Sequence, residues 1–85
     1  MRIAVYDTYV TKKEGGTMHF DILVPEKDPV EKVLGYGKEY LSSKGQGGQP
    51  ITPKECRFCH IEKASEDLTE KIAKSGYSII EMEGC

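Results

Sequence analysis

Residues 2–24, RIAVYDTYVTKKEGGTMHFDILV, decide the fold. Residues 2–10 (RIAVYDTYV) and 17–24 (TMHFDILV) are rich in β-branched and aromatic side chains, as strands require. The connection TKKEGG is short, polar and ends in two glycines, so the two strands are predicted to fold back as an antiparallel hairpin. Pairing Val10 with Thr17 sets Phe20 opposite Asp7 and Asp21 opposite Tyr6. One face then carries Ile3, Val5, Tyr9, Met18, Phe20, Ile22 and Val24 and packs on helices. The other carries Tyr6, Thr8, His19, Asp21 and Leu23. A one-residue slip would exchange these sets. In this register Asp7 falls on the apolar face and needs nearby backbone N–H groups or an escape to water at the strand end.

Pro25 ends the hairpin, and Asp28-Pro29 reads as a helix start, with Asp28 as N-cap and Pro29 at the first helical position. Val30, Val33, Leu34, Gly37, Tyr40 and Leu41 follow helical spacing and make one apolar face. Gly37 lies on that face, which predicts close approach of helix to sheet. Each glycine in the helix costs about 0.8–1 kcal/mol relative to alanine, so packing must carry it. SSKGQGGQP (42–50) reads as a flexible loop; it follows a helix and opens no G-K-[ST] turn, which argues against a phosphate cradle. Thr52-Pro53-Lys54-Glu55 has the capping-box pattern and is read as a single helical turn feeding a third strand at 55–62. Ser65 caps a second helix with Glu66 and Asp67 at its positive end, Leu68, Ile72 and Ala73 inward, and Gly76 closing it. Residues 77–83 (YSIIEME) form the last strand.

The expected order is therefore β-β-α-β-α-β. The fold class is α+β: a two-layer domain over residues 1–85, with no linker, whose four-stranded mixed sheet carries both helices on one face. A right-handed crossover would make the third and fourth strands parallel. Twelve Lys and Arg against 14 Asp and Glu leave a net charge of −2, which offers nothing to nucleic acid or an anionic membrane. The N-terminus lacks the pattern of a signal peptide, and no apolar run is long enough to span a bilayer. The expected location is cytoplasmic, where thiols stay reduced.

Four segments, VYDTYV (5–10), MHFD (18–21), ECRFCH (55–60) and MEGC (82–85), together resemble the small bacterial family catalogued as domain of unknown function twenty twenty-four. The resemblance runs nearly end to end. It implies two helices on a four-stranded sheet and carries no activity, cofactor or catalytic residue with it.

Chemistry concentrates in Cys56-Arg57-Phe58-Cys59-His60, a C-x-x-C-H spacing open to four readings: covalent haem, half a zinc site, a redox dithiol, or two buried strand thiols. Haem attachment follows export, and no export signal is present. In a regular strand Cys56, Phe58 and His60 share one face and Arg57, Cys59 and Ile61 the other, so the two thiols cannot meet on one metal unless the chain turns. Parallel third and fourth strands would bring Cys85 toward Cys59 and His60, making Cys59, His60 and Cys85, with Cys56 if the strand is broken, the ligand set for a zinc ion. Arg57 and His60 are basic neighbours that a redox thiolate would use. No nucleophile–base arrangement for a catalytic site emerges. Tyr6, His19 and Asp21 on the open sheet face form a candidate surface site, for a ligand or for homodimerisation. A binding or association module is thus the expected function, with a Cys/His metal or thiol-redox role as the alternative.

Overall fold

The computed structural model describes residues 1–85. The elements run β1 (Arg2–Thr11), β2 (Thr17–Pro25), α1 (Val30–Ser43), β3 (Cys56–Lys63), α2 (Glu66–Ser75) and β4 (Ser78–Glu83), in the order expected for this α+β chain. The sheet order is β3-β1-β2-β4, and every neighbouring pair is antiparallel. The sheet is therefore not mixed. β3 pairs beside β1 and β4 beside β2, so the helix between them carries the chain from one edge to the other, and β3 and β4 never become neighbours.

The hairpin register also differs from the expected one, by one residue. Lys12 N–H donates to Gly16 O at 3.0 Å, and Gly15 N–H donates to Lys12 O at 3.1 Å. Gly15 and Gly16 take φ of 93° and 85°, a left-handed pair that lets so tight a loop close. The register is then Thr11 with Thr17, Val10 with Met18 and Asp7 with Asp21. The alternation along β2 is as expected, but β1 is turned over against it.

One consequence is a second core. Ala4 and Val10 join Met18, Phe20, Ile22 and Val24 under Val33, Tyr40 and Leu41 of α1. On the opposite face Ile3, Val5 and Leu23 pack under Ile72 and Leu68 of α2. The helices thus lie on opposite faces, in three layers instead of two. Both side-chain sets in the first half of β1 are apolar, and each needs its own cover.

Local signals explain the helices. Ser65 accepts the Leu68 N–H at 3.2 Å, and Gly76, at φ 88°, closes α2 through its N–H to Ile72 O. Ala73 is exposed, since only Leu68 and Ile72 reach the sheet. α1 is capped by Pro29 in extended conformation, one residue later than expected; Asp28 makes no capping bond and instead approaches Lys32 at 3.9 Å. A Cβ on Gly37 would collide with Ile51 Cδ1 and lie 3.2 Å from Ile22 Cδ1, the close approach that its place on the apolar face implied.

The loop after α1 is held, not free. Gln46 is buried, accepting from Lys13 N–H and donating to Glu14, both at 2.8 Å, while Gln49 donates to Thr11 O at 2.7 Å. Thr52 to Glu55 form the expected single turn: Glu55 Oε1 accepts from both Thr52 N–H and Thr52 Oγ1 at 2.7 Å. No helix is long and apolar enough to cross a membrane.

Candidate functional site

α2 has only ten residues and covers the half of its sheet face that carries Ile3, Val5 and Leu23. The other half stays open, and on it the two central strands place Asp7 and Tyr9 beside Asp21 and His19. His19 Nε2 lies 2.6 Å from Asp7 Oδ1. The His19 ring stacks on Tyr9, with centroids 4.1 Å apart and planes 11° apart, which fixes the plane of the imidazole. Asp7 and Asp21 face each other directly across the strand pair, an arrangement that like charges disfavour. One ligand atom from each of Asp7, His19 and Asp21 lies within 4.8 Å of the others.

Electrostatics agree with the crowding. Burial, then the Asp7 carboxyl, push Asp21 above the ordinary aspartate range, with His19 and His60 only partly offsetting them. Arg57 is the β3 neighbour of Asp7, but its Nε donates to Lys54 O at 3.3 Å instead of pairing with the carboxylate. The side-chain contact within the cluster is therefore that of His19 with Asp7, and no lysine or arginine pairs with either aspartate.

Of the surface trio Tyr6, His19 and Asp21, the structure keeps the last two together and removes the first. Tyr6 points to the α1 face, edge-on to Phe58 with centroids 5.8 Å apart, where both border a shallow groove with Val30, Pro53 and Cys56. Asp7 and Tyr9 take its place. They were missed because the register was one residue out, although the Asp7/Tyr9 and His19/Asp21 pairs are each spaced for a common face.

The cysteine–histidine set is dispersed. Cys56 to Lys63 is extended, with an irregularity where Val5 pairs His60 and Tyr6 pairs Phe58. Cys59 is the extra residue of this β-bulge, so the alternation resets behind it. Cys56, Phe58 and Ile61 go to the α1 face, while Arg57, His60 and Glu62 share the other. Cys56 is buried at 2% exposure, and that burial raises its thiol above the ordinary range, with a Thr8 hydrogen bond pulling the other way. Cys59 and Cys85 are exposed. Cys85 follows β4 at the far edge, its Sγ 3.4 Å from Glu83 O and 3.5 Å from His19 O. Three strand spacings, about 14 Å, separate the edges that carry Cys59 and Cys85. The expected convergence of Cys56, Cys59, His60 and Cys85 depended on parallel edge strands, which the sheet order does not provide.

An antiparallel sheet between two helices, with a carboxylate–imidazole cluster on its uncovered half, defines a small α+β domain of a particular topology. The chain belongs to the family described as Domain of unknown function (DUF2024), whose sequence profile matches residues 1–82. It is similar to protein NE1680 from Nitrosomonas europaea, known from an NMR structure, with 48% identity and a TM-score of 0.87 over 100% of this chain and 99% of that one. No curated protein matches the chain.

Proposed function

We propose that the protein is a binding module whose binding surface is the open half of the α2 face, and that Asp7, His19 and Asp21 hold a divalent transition-metal cation there. The observation that carries this reading is the gathering of three donor atoms from two strands within 4.8 Å of one another. An imidazole nitrogen with carboxylate oxygens suits zinc and its first-row neighbours. A cation would also supply the positive charge that the opposed aspartates lack, offsetting the burial and the Asp7 carboxyl that raise Asp21. Three protein ligands on an open face leave coordination positions free for water or for a group of a further ligand.

Calorimetric titration of zinc into protein stripped with chelator tests the reading. Binding at one ion per chain is expected. His19→Ala and Asp7→Asn should each weaken it by at least about tenfold, the scale of losing an interaction around a metal. Replacing all three cysteines by serine should leave it unchanged. Binding indifferent to His19→Ala, or abolished with the cysteines, would overturn the assignment.

A second reading, association of two copies through the same face, has one observation in its favour. Tyr9 and Ile80, 49% and 46% exposed, flank the cluster as large apolar side chains. Sedimentation at micromolar concentration separates the two readings: a dimer lost on Ile80→Asp supports association, whereas a monomer in both proteins removes it.

A further inference from the structure

We infer that Cys59 is a nucleophilic thiol built for exchange with low-molecular-weight disulfides, with His60 as its base and Glu62 as the residue that positions the base. Cys59 Sγ lies 3.2 Å from His60 Nδ1, and His60 Nε2 lies 3.1 Å from Glu62 Oε2. A single tautomer satisfies both contacts. With the proton on Nε2, that N–H donates to the Glu62 carboxylate, and Nδ1 is free to accept the proton of the thiol. A nucleophile, a base within reach and a third group that orients the base are the parts of an activated nucleophile.

The bulge makes this arrangement. In a regular strand residues 59 and 60 would point to opposite faces and could not touch. As the extra residue between the Val5–His60 and Tyr6–Phe58 pairs, Cys59 is freed from the alternation and aimed at its own neighbour. Glu62, two residues beyond His60, returns to the same face. Neither of the other thiols has such partners. Cys56 is buried on the α1 face, and Cys85 lies against backbone carbonyls and the Tyr40 hydroxyl, with no imidazole in contact.

The surroundings select the chemistry. β3 is an edge strand, Cys59 is exposed, and it lines none of the cavities of the molecule. An acyl substrate would need a seat and an oxyanion hole, but a thiolate attacking a small disulfide needs only access. The Cys59 proton passes to His60 Nδ1, and Sγ forms a bond to one sulfur of the disulfide. The original sulfur–sulfur bond breaks, and the departing thiolate takes the proton from the imidazolium. Cys59 is oxidised to a mixed disulfide, and the released half is reduced to a thiol. With Cys56 on the other face and Cys85 at the other edge, no internal thiol resolves the adduct. It persists until an external thiol reverses the step.

Timed exposure of the reduced protein to glutathione disulfide, read by peptide mass spectrometry, tests this. One adduct is expected, on Cys59, forming about tenfold faster than at Cys85, a modest gain for a positioned base because the pair is open to solvent. Cys56 should stay unmodified in the folded chain. His60→Gln should bring the Cys59 rate down to that of Cys85, and Glu62→Gln should give an intermediate ratio within the same molecule, a selectivity that a general loosening of β3 would not alter. Equal rates at Cys59 and Cys85 in the unsubstituted protein, or a Cys59 rate unmoved by His60→Gln, would overturn the inference.

Discussion

Asp21 holds a charge-sensitive position in the fold. Burial and the facing Asp7 raise its carboxyl above the ordinary range, so its ionised form is favoured less in the folded chain than in the unfolded one. A raised carboxyl favours folding fully below the unfolded pKa, and that contribution is lost as pH rises through the folded value. Asp21→Asn should therefore raise the thermal midpoint of metal-free protein at pH 7, with the gain shrinking as pH falls toward about 4, the ordinary aspartate range. Saturating zinc should reverse the ranking, because only the aspartate is a ligand. Thermal unfolding with and without metal checks both signs; a loss at every pH in metal-free protein would contradict the charge argument. His19 and Asp21 were legible as partners from β2 alone, being two residues apart on a semi-polar strand face. Asp7 and Tyr9 were not, because their face depends on a loop closed by Gly15 and Gly16, and one residue of register moves a whole strand's side chains.

At the scale of elements, what was legible was local and what was missed was not. Ser65, Gly76, the Thr52–Glu55 turn and the apolar stripe of α1 are decided within a few residues of chain, and each behaves as its chemistry dictates. The bulge at Cys59 is decided by β1, far away in sequence, so the strand segment alone could not display it. Gln46 is similar: nothing in a glycine-rich loop announces a side chain clamped on the hairpin turn. The packing of α1 offers a sharp test. Gly37→Ala gains about 1 kcal/mol of helix propensity but drives a methyl into Ile51 and Ile22, at an overpacking cost of about 1–3 kcal/mol. Net destabilisation is expected. Adding Ile51→Val, which removes the clashing methyl, should recover part of it, seen as a favourable coupling of order 1 kcal/mol in a denaturant double-mutant cycle. Additive effects would show that Ile51 yields without cost.

For the molecule as a whole, the strand order governs what chemistry is available. Placing β3 and β4 at opposite edges disperses the thiols and turns attention to the two central strands, whose far halves α2 is too short to cover. The three-layer arrangement had a signal in the sequence: Ile3-Ala4-Val5 is apolar at both alternations, the mark of a strand buried on both sides. Which helix covers which face, and how far, follows from crossover paths that no local pattern specifies. Two sites result, a carboxylate–imidazole cluster on the open face and a thiol–imidazole pair on the β3 edge, each testable by its own substitutions. The most direct test of the first is a heteronuclear NMR titration with zinc. The His19 imidazole and the amides of Asp7, Tyr9 and Asp21 are expected to shift together and to saturate at one ion per chain, with Cys56, Cys59 and Cys85 unmoved. Shifts centred on the cysteines, or no saturable shift at His19, would contradict the assignment of the open sheet face as the binding surface.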